Sequence, residues 1–398
     1  MTLFHMDYEP SEELELVRET AREVAQEYDR EYVREHTENQ TFPQAFWDDI
    51  AANGFLGTMI PEEYGGAGMG MQELAVILEE LAREGTPGGL LIVLTAIFGG
   101  VGLTNHGTEA QREEFLPKIA NGDIQFCMGL TEANAGVNTL TIDTTAERDG
   151  DEYVLSGQKM WISGVDNADY MLLIARTSPF NSDNPTHGIT LFLVPDPADQ
   201  DAISLTQVET LVPWFERQFQ VDIEGLRLSE ESILGGPEKA DMALYDLWDT
   251  LNTERIAGAA SVIGGGLRSI DLAVEYANDR VVFKEPIGAY QSMQHPLATS
   301  YTYLTTAREM TSKAAWKYDN GKACGAEANM AKLQASEAAL DAASQAIQVH
   351  GGYGFTPEAE VMPLWVNARL IQTAPVPNEM IKNHIAEHVL GLPRSYLR

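Results

Sequence analysis

The feature that most constrains this chain is a hydrophobic period that changes twice along its length. Up to about residue 120, apolar residues recur at helical spacing. Leu14, Val17, Ala21, Val24, Ala25 and Tyr28 mark one face of a helix over 11–35, with Ser11 as its N-cap. A second helix is expected over 43–53, ended by Gly54, and a loop then turns the chain through Pro61 to Gly68. Further helical patterns follow over 71–83, 88–105 and 109–120. From about Gln125 the character changes: 144–148, 152–156, 171–177, 189–195, 205–208 and 218–223 are short β-type runs bounded by Gly, Asp, Asn and Pro. After Gly235-Gly236-Pro237 the helical period returns, over 239–278, 292–320, 326–350, 359–372 and 379–390. No helical stretch separates the strands, so the middle block reads as an antiparallel β unit, and a parallel nucleotide-binding sheet is excluded. The prediction is an α+β chain of three subdomains: an N-terminal helical domain over 1–124, a middle antiparallel β domain over 125–236, and a C-terminal helical bundle over 237–398.

Composition narrows the function classes. With 398 residues, 44% of them hydrophobic, the chain can bury a large core. Its 60 acidic residues against 26 basic ones give a net charge of −34, spread along the whole chain and not gathered in a tail. Such a surface repels itself at low ionic strength and is tolerable where salt screens it, which points to a cytoplasmic protein of a high-salt organism. Phosphate contacts need clustered Lys or Arg, so the composition argues against nucleic acid as a partner and against an electrostatic hold on anionic lipid. Cys127 and Cys324 supply no disulfide framework and fit a reducing compartment. Residues 1–10 are acidic and short of apolar side chains, unlike a signal peptide. The most apolar stretch, 88–101, is too short and too Gly-rich to span a bilayer and reads as a buried helix; no membrane partner is expected.

Four runs carry chemistry. Phe126-Cys127-Met128-Gly129-Leu130-Thr131-Glu132-Ala133-Asn134-Ala135-Gly136 is a small-residue loop with a hydroxyl at Thr131. Lys159-Met160-Trp161-Ile162-Ser163-Gly164 follows a strand and offers an indole beside a hydroxyl. Arg280, Val281, Val282 and Phe283, with Gln291 further on, place a guanidinium near an aromatic ring, and Arg can hold a diphosphate with paired N–H donors. Gln348-Val349-His350-Gly351-Gly352-Tyr353-Gly354-Phe355 ends a helix on bare glycine backbone.

In this order the four runs resemble those of the acyl-CoA dehydrogenases, flavoenzymes that oxidise a thioester between its α and β carbons. The resemblance covers essentially the whole chain. It implies an FAD cofactor contacted by Thr131, Trp161, Ser163, Arg280, Phe283, Gln291, Gln348, Gly351 and Gly352. It also implies an acyl-CoA substrate, electron transfer flavoprotein as the partner that takes the electrons, and a homotetramer whose subunits share cofactor sites. The chain departs from the family pattern at Val137-Asn138, where Ser-Asp is usual, at Gly164, where Asn is common, and at Lys284, where Gly is usual.

The base is the sharpest question. Many members carry it in an aromatic-Glu-Gly-Thr run near the C-terminus, but the matching stretch here is Thr373-Ala374-Pro375-Val376-Pro377, with no side chain able to accept a proton. The isovaleryl-CoA and long-chain branches carry a Glu before an Arg on an earlier helix. Glu254 and Arg255 match that pair, so the resemblance implies Glu254 as base and Arg255 beside the substrate, with Glu379 the second candidate. The family's oxyanion amide falls on Pro375, which has no N–H; either Val376 donates instead or the oxyanion site is weaker. Three activities follow: a dehydrogenase, a flavin- and acyl-CoA-binding protein without dehydrogenase activity, and a same-fold flavin oxidase or monooxygenase. His384 and His388 lie one helical turn apart, but so near the chain end they are read as a solvated or interface helix and no metal is expected. Cys127 is read as a small buried side chain and not as a nucleophile.

Overall fold

A computed structural model describes residues 11–394, so the reading of residues 1–10 falls outside the described residues. The first helical block contains α1 (Glu12–Gln26), α2 (Arg30–Asn39), α3 (Gln44–Ala52), α4 (Met71–Glu84), α5 (Gly89–Ile92), α6 (Gly102–His106) and α7 (Glu109–Ala120). Ser11 caps α1 as expected, its hydroxyl accepting from the Leu14 amide at 3.1 Å. The helix expected over 11–35 is two helices. Its period runs on, but Asp29 turns extended and accepts from the Tyr32 amide, starting α2 afresh. Between α5 and α6, Val93–Val101 is π-helical and wholly buried. The stretch Gly89–His106 is long and apolar enough to cross a membrane by length and composition, yet 72% of it is buried inside the protein.

The middle block is a seven-stranded sheet: β1 (Phe126–Gly129), β2 (Thr145–Asp149), β3 (Glu152–Ser163), β4 (Tyr170–Arg176), β5 (Ile189–Pro195), β6 (Ile203–Val208) and β7 (Gln218–Ser229). It is not purely antiparallel. β1 runs parallel to β4, and β2 meets β4 in a parallel register at Thr145 and Arg176. The other pairings, β2–β3, β3–β7, β6–β7 and β4–β5, are antiparallel. The physical reason is that β1 arrives from the helical block and not from a hairpin, so turn geometry does not set its direction. The sheet has its own apolar core, including Leu155, Ile162, Phe192, Val221 and Ile223.

The last block holds α8 (Leu244–Asp279), a two-residue hairpin β8 (Val281–Val282) and β9 (Glu285–Pro286), then α9 (Gln291–Asp319), α10 (Gly325–His350), α11 (Val361–Ile371) and α12 (Asn378–His384). Short buried side chains line α10: Ala328, Ala331, Ala335, Ala338, Ala339 and Ala342. They let α10 pack closely on α8 and α9.

The two helical blocks are tied together. Glu79 and Glu80 of α4 are buried. Arg18 and Arg22 of α1 pair with Glu80, and Arg308 of α9 pairs with Glu79. At the start of α4, Gly70 has no side chain to cap the helix. Asp319, from the end of α9, takes that role, accepting from the amides of Met71 at 2.6 Å and Gln72 at 3.1 Å. A Cβ on Gly70 would lie 2.6 Å from Asp319 Cγ, so the bare glycine is what admits the capping carboxylate.

Candidate active site

Glu254 and Arg255 lie in the N-terminal part of α8, where it packs on α10. The Oε2 of Glu254 is shielded from solvent and has no hydrogen-bond partner among the described residues. Burial pushes the carboxyl up to about 7, against the opposing pull of Arg255 and Lys332. A carboxylate poised near neutrality with an unengaged oxygen has what a general base needs. Arg255 donates from Nη1 to Asn252 Oδ1 at 3.0 Å, and its Nε is shielded and has no partner among the described residues. Burial lowers its proton affinity, and Glu254 opposes that.

Opposite them on α10 stands Lys332, whose side chain is fully buried. Its Nζ donates to the Val376 carbonyl at 2.7 Å and to Asn378 Oδ1 at 2.9 Å. Burial, joined by Arg255, lowers it to about 7, while Glu379 and Glu254 pull the other way. Asn378 in turn donates from Nδ2 to Ser336 Oγ at 3.0 Å, and its amide donates to the Gln372 carbonyl at 3.0 Å. The stretch from Thr373 to Pro377 is therefore a loop closed at its base and pinned from α10. Glu379 is exposed in the first turn of α12.

The expected cofactor residues fall in two sets on different blocks. Thr131 follows β1, and its carbonyl accepts from the Met160 amide at 2.8 Å. Next to it, buried Glu132 accepts from the Asp143 amide at 2.5 Å, the Thr144 amide at 3.0 Å and Lys159 Nζ at 2.8 Å. Burial favours the neutral acid, but Lys159 and the amides overcome it and hold Glu132 below its ordinary range. Burial lowers Lys159 to about 8 despite Glu132. This pair fixes the turn that carries Thr131. Trp161 sits where β3 bulges against β7, with φ +61° and 55% of its surface exposed. A bulge re-aims a side chain out of the strand's alternation, and here the indole points away from the core. Ser163 donates to Gln218 Oε1 at 3.0 Å.

In the second set, Arg280 follows the last turn of α8 and is exposed. Phe283 and Lys284 form the turn between β8 and β9 with φ +54° and +78°, a two-residue turn that presents Phe283 at 89% exposure. Gln291 begins α9 and is exposed; Gln348 is exposed near the end of α10. Gly351, at φ +59°, and Gly352 have no atom within 4 Å of where a Cβ would stand. Tyr276 stacks on His350, with ring centroids 4.5 Å apart, and lies parallel to Tyr353 at 5.9 Å, which brings the Arg280 and Gly351 ends together. His350 also bonds the Ala346 carbonyl through Nδ1 at 2.8 Å.

Cys127 is fully buried, and burial pushes its thiol well above the ordinary range. The rings of His384 and His388 lie 4.7 Å apart, tilted 43° to each other. Among the described residues, no three or more His, Cys, Asp or Glu side chains are grouped to hold a metal. Two features of the site escaped the sequence reading: Lys332, and the Glu132–Lys159 pair.

Three domain descriptions of one family match in succession: acyl-CoA dehydrogenase N-terminal domain over residues 11–123, middle domain over 127–214 and C-terminal domain over 245–390. The chain belongs to the acyl-CoA dehydrogenase family. It is 41% identical over 352 residues to acyl-CoA dehydrogenase FadE12 of Mycobacterium tuberculosis (strain ATCC 25618 / H37Rv), covering 88% of this chain and 89% of that one. It is 31% identical to a 3-(aryl)acrylate reductase of Clostridium sporogenes (strain ATCC 15579), covering 96% of this chain and 99% of that relative. Among solved structures, a glutaryl-coenzyme A dehydrogenase in complex with glutaryl-CoA superposes with a TM-score of 0.91 at 27% identity, over 99% of both chains. Family membership makes the chain an oxidoreductase of this fold; the branch to which its base position points is a separate matter.

Proposed function

We propose that this chain dehydrogenates an acyl-CoA thioester between Cα and Cβ, giving the trans-2-enoyl-CoA, with FAD as its cofactor and electron transfer flavoprotein as the acceptor. The observation that carries this reading is Glu254, a carboxylate held near neutrality with one oxygen shielded and unengaged. In the reaction the Cα–H bond breaks, its proton goes to Glu254, and its electron pair moves toward the thioester oxygen. FAD, when bound, would supply the acceptor for the hydride that leaves Cβ, and the pair released at Cα closes the Cα=Cβ bond. Arg255, beside Glu254, holds the base in its working charge state and orients the thioester.

The residues on hand suit the cofactor. A flavin dinucleotide needs a flat apolar wall, hydrogen bonds at the ring edge, a cation for the diphosphate and bare backbone for close approach. Outward-facing Trp161, Thr131 and Ser163 offer the first two, Arg280 the third, and Gly351-Gly352 the last, with Phe283, Gln291 and Gln348 completing the contacts. The exposure of the second set supports a homotetramer in which each subunit completes a neighbour's site. The base position supports the isovaleryl or long-chain branch, a role in fatty-acid β-oxidation fits that branch, and the acidic surface supports a high-salt cytoplasm.

A panel of acyl-CoAs mixed anaerobically with the purified protein tests this. Bleaching of the flavin band, followed by reoxidation with electron transfer flavoprotein, is the expected result. Reoxidation by air alone would favour an oxidase. Flavin and acyl-CoA binding without bleaching by any member would sink the dehydrogenase reading and favour the binding protein that Pro375 and Val137 suggest. A folded, salt-purified protein that takes up no FAD would remove the cofactor assignment. Light scattering showing an active monomer would remove the shared site.

A further inference from the structure

The loop from Thr373 to Pro377 has one free amide. Thr373 and Ala374 both donate to the Leu370 carbonyl, and Asn378 donates to the Gln372 carbonyl. Pro375 and Pro377 have no N–H. Val376 lies between them, and among the described residues its N–H donates to nothing. Its carbonyl, by contrast, is held by Lys332. Lys332 is wholly buried and enters no ion pair among the described residues, its hydrogen-bond partners there being two neutral oxygens. A buried ammonium without a carboxylate at contact is costly. Such a group is retained where its position or its field is used.

From this geometry, and resting on the dehydrogenase reading above, we propose that Lys332 is a positioning residue. It fixes Val376 so that the Val376 N–H becomes the donor to the thioester oxygen, in place of the amide that Pro375 lacks. When the Cα–H bond breaks and the proton passes to Glu254, negative charge grows on that oxygen. A preset amide stabilises it there without reorganisation, and the Lys332 charge adds to the same field. The groups around Lys332 pull both ways: burial and Arg255 oppose its charged form, and Glu379 and Glu254 favour it. Glu254 and Arg255 face it from α8 and Glu379 from α12, while His384 feels Arg255 from the same helix. On α9, Lys313 and Lys317 are both paired with Glu327, one turn before Lys332. The loop itself brings no titratable side chain.

The test uses the FAD-loaded enzyme and two variants, Lys332→Met and Val376→Pro. A 3-oxoacyl-CoA is the probe, because its α-proton is acidic enough to leave without hydride transfer. The pH at which its enolate is half-formed on the enzyme reads oxyanion stabilisation, whether or not Glu254 acts. Each variant is expected to raise that pH by about a unit or more. Each should also slow flavin reduction by a true acyl-CoA by about 10²–10³-fold, the usual cost of one lost oxyanion donor. Acyl-CoA binding should change by no more than about threefold, and the double variant should fall little beyond either single one. A folded Lys332→Met enzyme that ionises the probe at the wild-type pH overturns the positioning role. Should that variant not fold, Val376→Pro decides alone: wild-type ionisation and wild-type flavin reduction overturn the proposal. Failure of the underlying reading looks different, because the unaltered enzyme would then bind acyl-CoA without bleaching its flavin, whatever these two variants do.

Discussion

Among the described residues two lysines are buried to zero exposure, one in the sheet and one in the C-terminal bundle, and they are partnered differently. Lys159 in β3 meets a carboxylate, Glu132 Oε1 at 2.8 Å, and the Leu130 carbonyl at 3.1 Å. Lys332 in α10 meets, among the described residues, a carbonyl and an amide oxygen and no carboxylate. Burial lowers both, Lys159 to about 8 and Lys332 to about 7. The difference shows where each charge is used. At Lys159 it is neutralised on the spot and holds a turn in place. At Lys332 it is left to act across a gap on Glu254, whose ionised form it favours.

The largest expected effect tests that gap from its far side. Glu254→Gln should lower the rate of anaerobic flavin reduction by roughly 10²–10⁴-fold while FAD content and acyl-CoA binding persist. A wild-type rate would leave Lys332 with no base to act on. Next comes stability. Lys159→Met strands Glu132 in the core and should cost about 3–5 kcal/mol in a salt-matched denaturant titration. Lys332→Met strands no carboxylate at contact and should cost less, about 1–3 kcal/mol. The reverse order would break the comparison.

A pH profile sharpens it further. The Glu254 carboxyl is raised to about 7, so its basic form is lost as pH falls through that value. Flavin reduction at saturating acyl-CoA should then drop about tenfold per pH unit below about 7. Removing the Lys332 charge takes away a group that favours the carboxylate, so Lys332→Met should move this limb to higher pH. Lys159→Met should leave it in place. A limb that shifts in neither variant would mean that the Lys332 charge does not reach the base. Smallest of all, Glu379→Gln should slow flavin reduction by no more than about threefold, since Glu379 is exposed and acts on Lys332 only at a distance.

Much of the architecture was legible from period and punctuation. The strand over 189–195 and the long helices were visible because their apolar residues keep one period between clear stops. The parallel β1–β4 pair was missed because Phe126–Gly129 reads as part of a loop, and because period says nothing of strand direction. The break between α1 and α2 was hidden because the apolar face continues across Asp29. In the candidate site, Glu254 was singled out through its neighbour Arg255 and the family pattern, whereas its shielding is a matter of packing that sequence does not show. Lys332 did leave a trace. It shares one buried stripe with Ala328, Ala335 and Ala339, at spacings of four, three and seven, where a solvated lysine has no place. Lys159 left a similar one, sharing inward parity in β3 with Tyr153 and Leu155. Its partner Glu132 lies 27 residues away, and no local spacing joins them.

The carboxylate that caps α4 from the far end of α9 has a kinetic consequence. The amides of Met71 and Gln72 exchange their hydrogens with water only when Asp319 lets go. Letting go breaks a link between α4 and α9, because the carboxylate belongs to the other helical block. Isotope exchange at those two sites therefore reports the loss of this link between the blocks, while amides at the start of α1, capped by Ser11 from within, report only local fraying.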